Sequence, residues 1–311
     1  MSLAFVFPGQ GSQSVGMLNA LAGEFPQVQA TFAEASQALG YDLWTVIEQG
    51  PEEKLNQTQI TQPAMLAAGV AVWRVWHAQG GAMPSMLAGH SLGEYTALVC
   101  AEALAFGDAV KLVVDRGRFM QEAVPVGQGG MAAILGLDDD AVRQICEQAA
   151  QGEVLEPVNF NSPGQVVIAG TAAAVARGAE QAKAAGAKRA VLLPVSVPSH
   201  CRLMRPAAVQ MAQRLAGVAI RAPKLTVIHN AHVQSETTPD GIRQALVRQI
   251  ESPVRWVETV RTMIAGGVNR IVECGPGKVL AGLNKRIDKQ VETLAVYDPA
   301  TLRAALEAVA K

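Results

Sequence analysis

Cysteine is scarce and scattered: Cys100, Cys146, Cys201 and Cys274 are the four in 311 residues, and no two form a Cys-x-x-Cys pair. That spacing argues against a zinc site and against a disulfide framework, and it fits a reducing compartment. Charge is sparse too, at 17% charged residues and a net charge of −1, so there is no global basic field to draw the chain onto nucleic acid or an acidic membrane. No apolar run is long enough to span a bilayer, and Leu3–Phe7 opens the chain as a strand pattern rather than a basic leader. A cytoplasmic, unprocessed protein with no membrane or nucleic-acid partner is expected. Cofactor signatures are missing as well. After Gly9-Gln10-Gly11, Ser14 stands where a dinucleotide fingerprint expects glycine or alanine, and Gly275-Pro276-Gly277-Lys278 lacks the spacing and the Ser/Thr of a phosphate loop. Neither a cofactor nor a metal is expected, and the second stretch reads as a turn.

What is present is half hydrophobic, ample for a sizeable core in a chain whose length allows about two domains. Its organising stretch is Gly89-His90-Ser91-Leu92-Gly93-Glu94, with Met86–Ala88 apolar before it and a helical small-residue pattern after it. A strand that turns abruptly into a helix through a serine leaves the hydroxyl above the sheet, and flanking glycines relieve the tight bend. Ser91 is therefore the candidate nucleophile.

Strands and helices alternate on either side of this elbow. Leu3–Phe7 reads as a buried strand, Pro63 as the opening of a buried helix through Trp76, and 106–123 as a helix. A hinge is read at Gly127-Gln128-Gly129-Gly130. From Met131 the order becomes strand (131–137), helix opened by Asp138-Asp139-Asp140, strands 157–161 and 165–169, helix capped by Thr171, and strand 189–195. That succession is βαββαβ, the ferredoxin-like arrangement. Beyond it come a strand at 225–229, helices at 241–249 and 254–265, a strand at 270–274 and a helix at 279–287. The expected fold is α/β: a large α/β-hydrolase-like domain with a mostly parallel sheet (1–127 and 197–311) and an inserted ferredoxin-like subdomain (128–196).

A serine needs a base, and donors for the oxyanion. Of five histidines, His77 ends an apolar helix, His229 and His232 lie near a strand end, and His90 shares the elbow but is expected to pack beneath it. His200 follows two prolines on a rigid loop, the best placed of the five. The N–H of Leu92 opens a helix, and the loop bearing Gln10 follows an early strand, the two places from which an oxyanion hole is built. No acid stands out in the interval between Ser91 and His200, which counts against an ordinary hydrolase.

Several ordered motifs, spread over essentially the whole chain, resemble the malonyl-CoA:acyl-carrier-protein transacylases of fatty acid synthesis: Phe7-Pro8-Gly9-Gln10-Gly11-Ser12-Gln13, Thr61-Gln62-Pro63-Ala64, Gly89-His90-Ser91-Leu92-Gly93-Glu94-Tyr95, Arg116-Gly117, Val158-Asn159-Phe160-Asn161-Ser162-Pro163, Val197-Pro198-Ser199-His200 and Gly275-Pro276-Gly277-Lys278-Val279-Leu280. The resemblance implies that Ser91 is acylated, that His200 is its base, and that the N–H groups of Gln10 and Leu92 form the oxyanion hole. It also implies that the main-chain carbonyl of Gln249 orients His200 in place of an acid. Arg116, which alone would read as a solvated surface residue, is implied to pair with the malonyl carboxylate; Arg118 keeps the surface reading. Related acyltransferase modules of polyketide synthases often carry an aromatic residue where this chain has Ser199. The implied partners are malonyl-CoA and an acidic acyl carrier protein, for which Lys188, Arg189, Lys285 and Arg286 are the candidate basic surface. The rival readings are a serine thioesterase or esterase, and a subunit of a malonate-handling complex.

Overall fold

The computed structural model describes residues 2–195 and 197–310. The chain opens with β1 (Ser2–Phe7), α1 (Asn19–Glu24), α2 (Pro26–Leu39), α3 (Leu43–Gln49), α4 (Glu52–Leu55) and α5 (Thr58–Ala78), followed by β2 (Met86–Gly89), α6 (Gly93–Cys100) and α7 (Phe106–Ala123). Strand β1 shows why its residues pair so readily. Leu3, Phe5 and Phe7 enter one core while Ala4 and Val6 enter another on the opposite face, as the two-residue period of a strand requires. Apolar on both faces, it suits the middle of a parallel sheet.

The next segment holds β3 (Gly129–Leu135), α8 (Asp139–Ala150), β4 (Leu155–Ser162), β5 (Gln165–Thr171), α9 (Ala172–Ala184) and β6 (Arg189–Leu192). These strands make an antiparallel sheet in the order β4-β5-β3-β6, the ferredoxin-like order, with α8 and α9 packed on one face. Asp138 and Thr171 cap the two helices by accepting from Ala141 N and Ala174 N. The sheet is tied to the rest of the chain at its edge, where Val254 N donates to Val158 O and Phe160 N donates to Val254 O. The expected seam at 196–197 includes Ser196, which lies outside the described residues.

The chain then supplies α10 (Arg205–Ala216), β7 (Thr226–Ile228), α11 (Pro239–Ile250), α12 (Trp256–Ala265), β8 (Val268–Cys274), α13 (Val279–Ile287), β9 (Glu292–Val296) and α14 (Pro299–Ala310). The large sheet runs β7-β2-β1-β8-β9, and every pairing in it is parallel. Its carboxyl ends therefore gather the loops after β1, β2, β7 and β8 at one edge, where open α/β sheets bind their ligands. No helix among the described residues is long and apolar enough to cross a membrane.

Four details differ from the sequence reading. Helix α5 begins five residues before Pro63, because Ile60 N and Thr61 N already bond Gln57 O and form a turn ahead of the proline. Gly129 and Gly130 belong to β3 rather than to a hinge, and only Gly127 takes a left-handed φ, of 83°. Val254 bridges to β4 instead of starting α12. Strand β9 and helix α14, which the sequence reading leaves unassigned, complete the sheet edge: Leu294 packs at the margin of the core and Val296 within it.

The aromatic packing over β1 gives a stability test. Phe5 is fully buried, with its ring edge-on to Trp73 at 5.6 Å and to Trp76 at 5.1 Å between centroids. Phe5→Ala should cost about 3–5 kcal/mol in denaturant unfolding, and a loss under about 1 kcal/mol would contradict this account of the core.

Candidate active site

The elbow is built by close backbone approach. A Cβ on Gly93 would lie 2.0 Å from Phe7 O, and one on Gly89 would lie 1.8 Å from the Gly93 carbonyl carbon, so both positions need glycine for space. Between them Ser91 adopts φ 51°, a left-handed conformation that costs a residue with a side chain about 1–2 kcal/mol. Asn230, just beyond β7, holds that strain in place. Its Oδ1 accepts from Ser91 N at 2.7 Å while its Nδ2 donates to Gly89 O at 2.6 Å, gripping the bend on both sides.

His200 also sits at positive φ, 67°, on a loop stiffened by Ser199 N donating to Val197 O and Cys201 Sγ donating to Pro198 O. Its Nδ1 lies 2.9 Å from Gln249 O and its Nε2 lies 2.7 Å from Ser91 Oγ. A carbonyl can only accept, so Nδ1 carries the ring proton and the Nε2 lone pair faces the serine hydroxyl. Burial, and next the charge of Arg116, pull the His200 pKa down to about 3, against the raising effect of the Gln249 carbonyl. The imidazole is thus neutral near pH 7, as a base for a hydroxyl must be.

Arg116 reaches the same point from α7. Only 2% exposed, it donates from Nη1 to Gln62 Oε1 at 2.8 Å and from Nη2 to Gln249 Oε1 at 3.0 Å and Ser91 Oγ at 3.2 Å. The guanidinium lies 5.4 Å from the centre of the Tyr95 ring. No carboxylate pairs with it among the described residues. Arg118 instead pairs with Asp115 and Glu122 at the surface, as its position two residues on suggests.

Gln10, Gln62, Ser91, Leu92, Arg116 and His200 line one cavity of about 140 Å³, with Met120, Met131 and Leu193 among its apolar walls. The loop after β1 is pressed against the elbow: a Cβ on Gly9 would lie 2.5 Å from His90 O and 3.8 Å from Leu92 N. Gln10 and Leu92 are thereby brought to the serine from two different strand ends. A neutral imidazole, backbone N–H groups from two loops and a fixed cation around one hydroxyl make an arrangement that can carry out acyl transfer.

All six sequence-identified residues are brought together, and four more are added. His90 does not pack beneath the turn but lines the cavity, its Nε2 2.8 Å from Asn161 Oδ1 and its ring against Trp256. Gln62, Asn161, Asn230 and Glu94 were not identified from sequence. Three of them lie inside the motifs already quoted, which was the available signal, whereas Asn230 lies outside every one. Glu94 is fully buried and touches His229, Asn230 and Gln249 rather than His200. The acid absent from a hydrolase-type triad is therefore present nearby without serving the histidine.

Since His200 titrates near 3, the rate at which an activated-serine probe labels Ser91 should stay flat from roughly pH 5 to pH 8 and fall only in stronger acid. A drop centred near the ordinary histidine value of about 6.5 would contradict the buried, neutral imidazole.

Residues 4–300 match the acyl transferase domain family. The chain is 59% identical over 303 residues to the malonyl CoA-acyl carrier protein transacylase of Salmonella typhimurium, covering 97% of this chain and 98% of that one. To the protein of the same name from Bacillus subtilis it is 44% identical, with 98% and 96% covered. Among solved structures, the malonyl CoA-acyl carrier protein transacylase of Coxiella burnetii superposes with a TM-score of 0.99 at 52% identity, covering 100% of this chain and 98% of that chain. A malonyl-transacylase solved in complex with a type II PKS acyl-carrier protein superposes at 0.98 and 56% identity, covering 99% and 100%. The chain belongs to the acyl transferase domain family, among its malonyl CoA-acyl carrier protein transacylases.

Proposed function

We propose that Ser91 and His200 carry out malonyl transfer in this chain, which moves a malonyl group from malonyl-CoA to the phosphopantetheine thiol of acyl carrier protein for fatty acid synthesis. Ser91 Oγ attacks the thioester carbonyl as its proton passes to His200 Nε2; the N–H groups of Gln10 and Leu92 hold the oxyanion; the carbon–sulfur bond breaks and CoA leaves with the proton. The carrier thiol then attacks the Ser91 ester, giving its proton to His200, which returns one to Ser91 Oγ. The main-chain carbonyl of Gln249 keeps the histidine in the tautomer both halves need.

The observation that carries this reading is Arg116, a buried cation with neutral partners only, 3.2 Å from the serine oxygen. A planar guanidinium in that position fits the free carboxylate of a malonyl ester through two charge-assisted bonds, whereas an acetyl group leaves it unpaired. In the same reading 1–127 and 197–311 form the catalytic domain, 128–196 the subdomain that walls the cavity with Met131 and Leu193, and the reaction takes place in the cytoplasm.

The carrier's acidic surface meets Lys188, Arg189, Lys285 and Arg286. All four are exposed; Arg286 Nη1 donates to Gln165 Oε1 at 2.9 Å and Gln165 pairs through Leu135 with Arg189, so Arg286 and Arg189 lie at one end of the small sheet, with Lys285 and Lys188 next to them in sequence.

Mixing the protein with malonyl-CoA should give a stable malonyl adduct on Ser91 by intact mass, discharged by holo-carrier protein. Rapid release of free malonate would instead mark a hydrolase. Arg116→Ala should lower kcat/KM for malonyl-CoA at least about 100-fold more than that for acetyl-CoA; unchanged selectivity would contradict the carboxylate role. Neutralising the four surface cations should raise the KM for carrier protein more than that for malonyl-CoA, and equal effects would remove the docking assignment.

A further inference from the structure

Gln249 meets the site through three separate atoms. Its main-chain oxygen accepts from His200, its Oε1 accepts from Arg116 Nη2, and its Nε2 donates to both Ser91 O and Glu94 Oε2 at 2.9 Å. The side-chain amide has two faces of opposite character, so its orientation decides what Arg116 encounters. With Nε2 toward Glu94, a carbonyl oxygen faces the guanidinium; turned over, an NH₂ group would face it and repel it.

We propose that Glu94 is a positioning residue for acyl selectivity: by accepting from Gln249 Nε2 it fixes the amide so that Arg116 is met by a neutral oxygen and stays free to take the substrate carboxylate. Three donors converge on the two oxygens of Glu94, namely His229 Nδ1 at 2.7 Å, Asn230 N at 2.9 Å and Gln249 Nε2 at 2.9 Å. With the His229 ring proton on Nδ1, all three meet an acceptor, and the carboxylate has oxygens enough for them. Its place one amide behind Arg116 also separates the two charges. A carboxylate directly on the guanidinium would compete with the malonyl group, whereas one held behind Gln249 lowers the cost of burying the cation without occupying its binding edge. The same oxygen of Glu94 holds Asn230, so a single carboxylate ties the grip on the elbow to the orientation of the selectivity residue.

This inference rests on the malonyl-transfer reading above, and the ratio of malonyl to acetyl transfer separates the two. Glu94→Leu removes the acceptor and should lower that ratio at least about tenfold, as loss of a buried charge-assisted bond would. Glu94→Gln should hold the ratio within about threefold, because its oxygen can still face Gln249 while His229, whose Nε2 has no partner among the described residues, moves its ring proton away from position 94. Gln249→Leu keeps the main-chain carbonyl for His200 and should lower the ratio like Glu94→Leu, which keeps the test available if Glu94→Leu does not fold. A folded Glu94→Leu, or Gln249→Leu, with the parental ratio overturns the proposal. A loss in Glu94→Gln as large as in Glu94→Leu overturns it too, assigning the effect to charge. If the parent protein forms no malonyl adduct on Ser91, it is the reading of the site that fails.

Discussion

A guanidinium buried with no carboxylate against it among the described residues is the constraint on which the site depends. Removing a cation from water costs several kcal/mol even after the protein relaxes, and Arg116 recovers part of this from two amide oxygens and an aromatic face rather than from an ion pair. Each neighbour follows from that. Gln62 and Gln249 supply oxygens without charge, Tyr95 supplies a ring, and Glu94 is near enough to favour the cation but screened by an amide. The same charge, after burial, holds His200 in its neutral form. Among the described residues the site is short of one anion, and in the proposed reading the substrate brings it.

Backbone strain marks where the fold is used to aim chemistry. Ser91 and His200, which share a hydrogen bond, both take left-handed φ although neither is glycine. Such conformations persist only where surrounding contacts over-determine them. For Ser91 the contacts are Asn230 on both sides of the bend and the contact of Gly93 against Phe7, so the strand pairing of β1 with β2 and of β2 with β7 is what aims the hydroxyl.

How much of this was legible depended on the range of the interaction. The elbow was readable because strand, serine and helix are contiguous, and the small sheet because its caps and alternations are local. Even the absence of an acid between Ser91 and His200 was informative: the ring proton of His200 is held by a peptide carbonyl, which leaves no mark in side-chain composition. Gln62, Glu94 and Asn230 act across 54 to 155 residues of chain, and nothing local distinguishes a glutamine that meets an arginine from one that meets solvent. Pro63 misled for a related reason. Proline is favoured in a first turn, yet the turn preceding it is held by bonds to Gln57. The residues gained by that extra turn include Gln62, so the misplaced helix start and the missed partner of Arg116 have one cause.

The neutral state of His200 bears on how such a site moves protons in the two halves of a transfer. A serine hydroxyl is about as weak an acid as water, whose pKa is about 15.7, so its proton leaves only as its oxygen attacks, whereas a thiol near 8.5 gives its proton up far more readily. In the acylation half the leaving group is a thiolate of the same kind, which departs without needing a strong acid. A carboxylate beside Nδ1 would stabilise the imidazolium and strengthen the base; the carbonyl of Gln249 fixes the tautomer while adding no charge. With Arg116 disfavouring a second positive charge at His200, the proton does not linger on the ring, and exchange between an oxygen ester and a thioester can run in either direction. The buried cation thus also helps to set the protonation state of the histidine beside it.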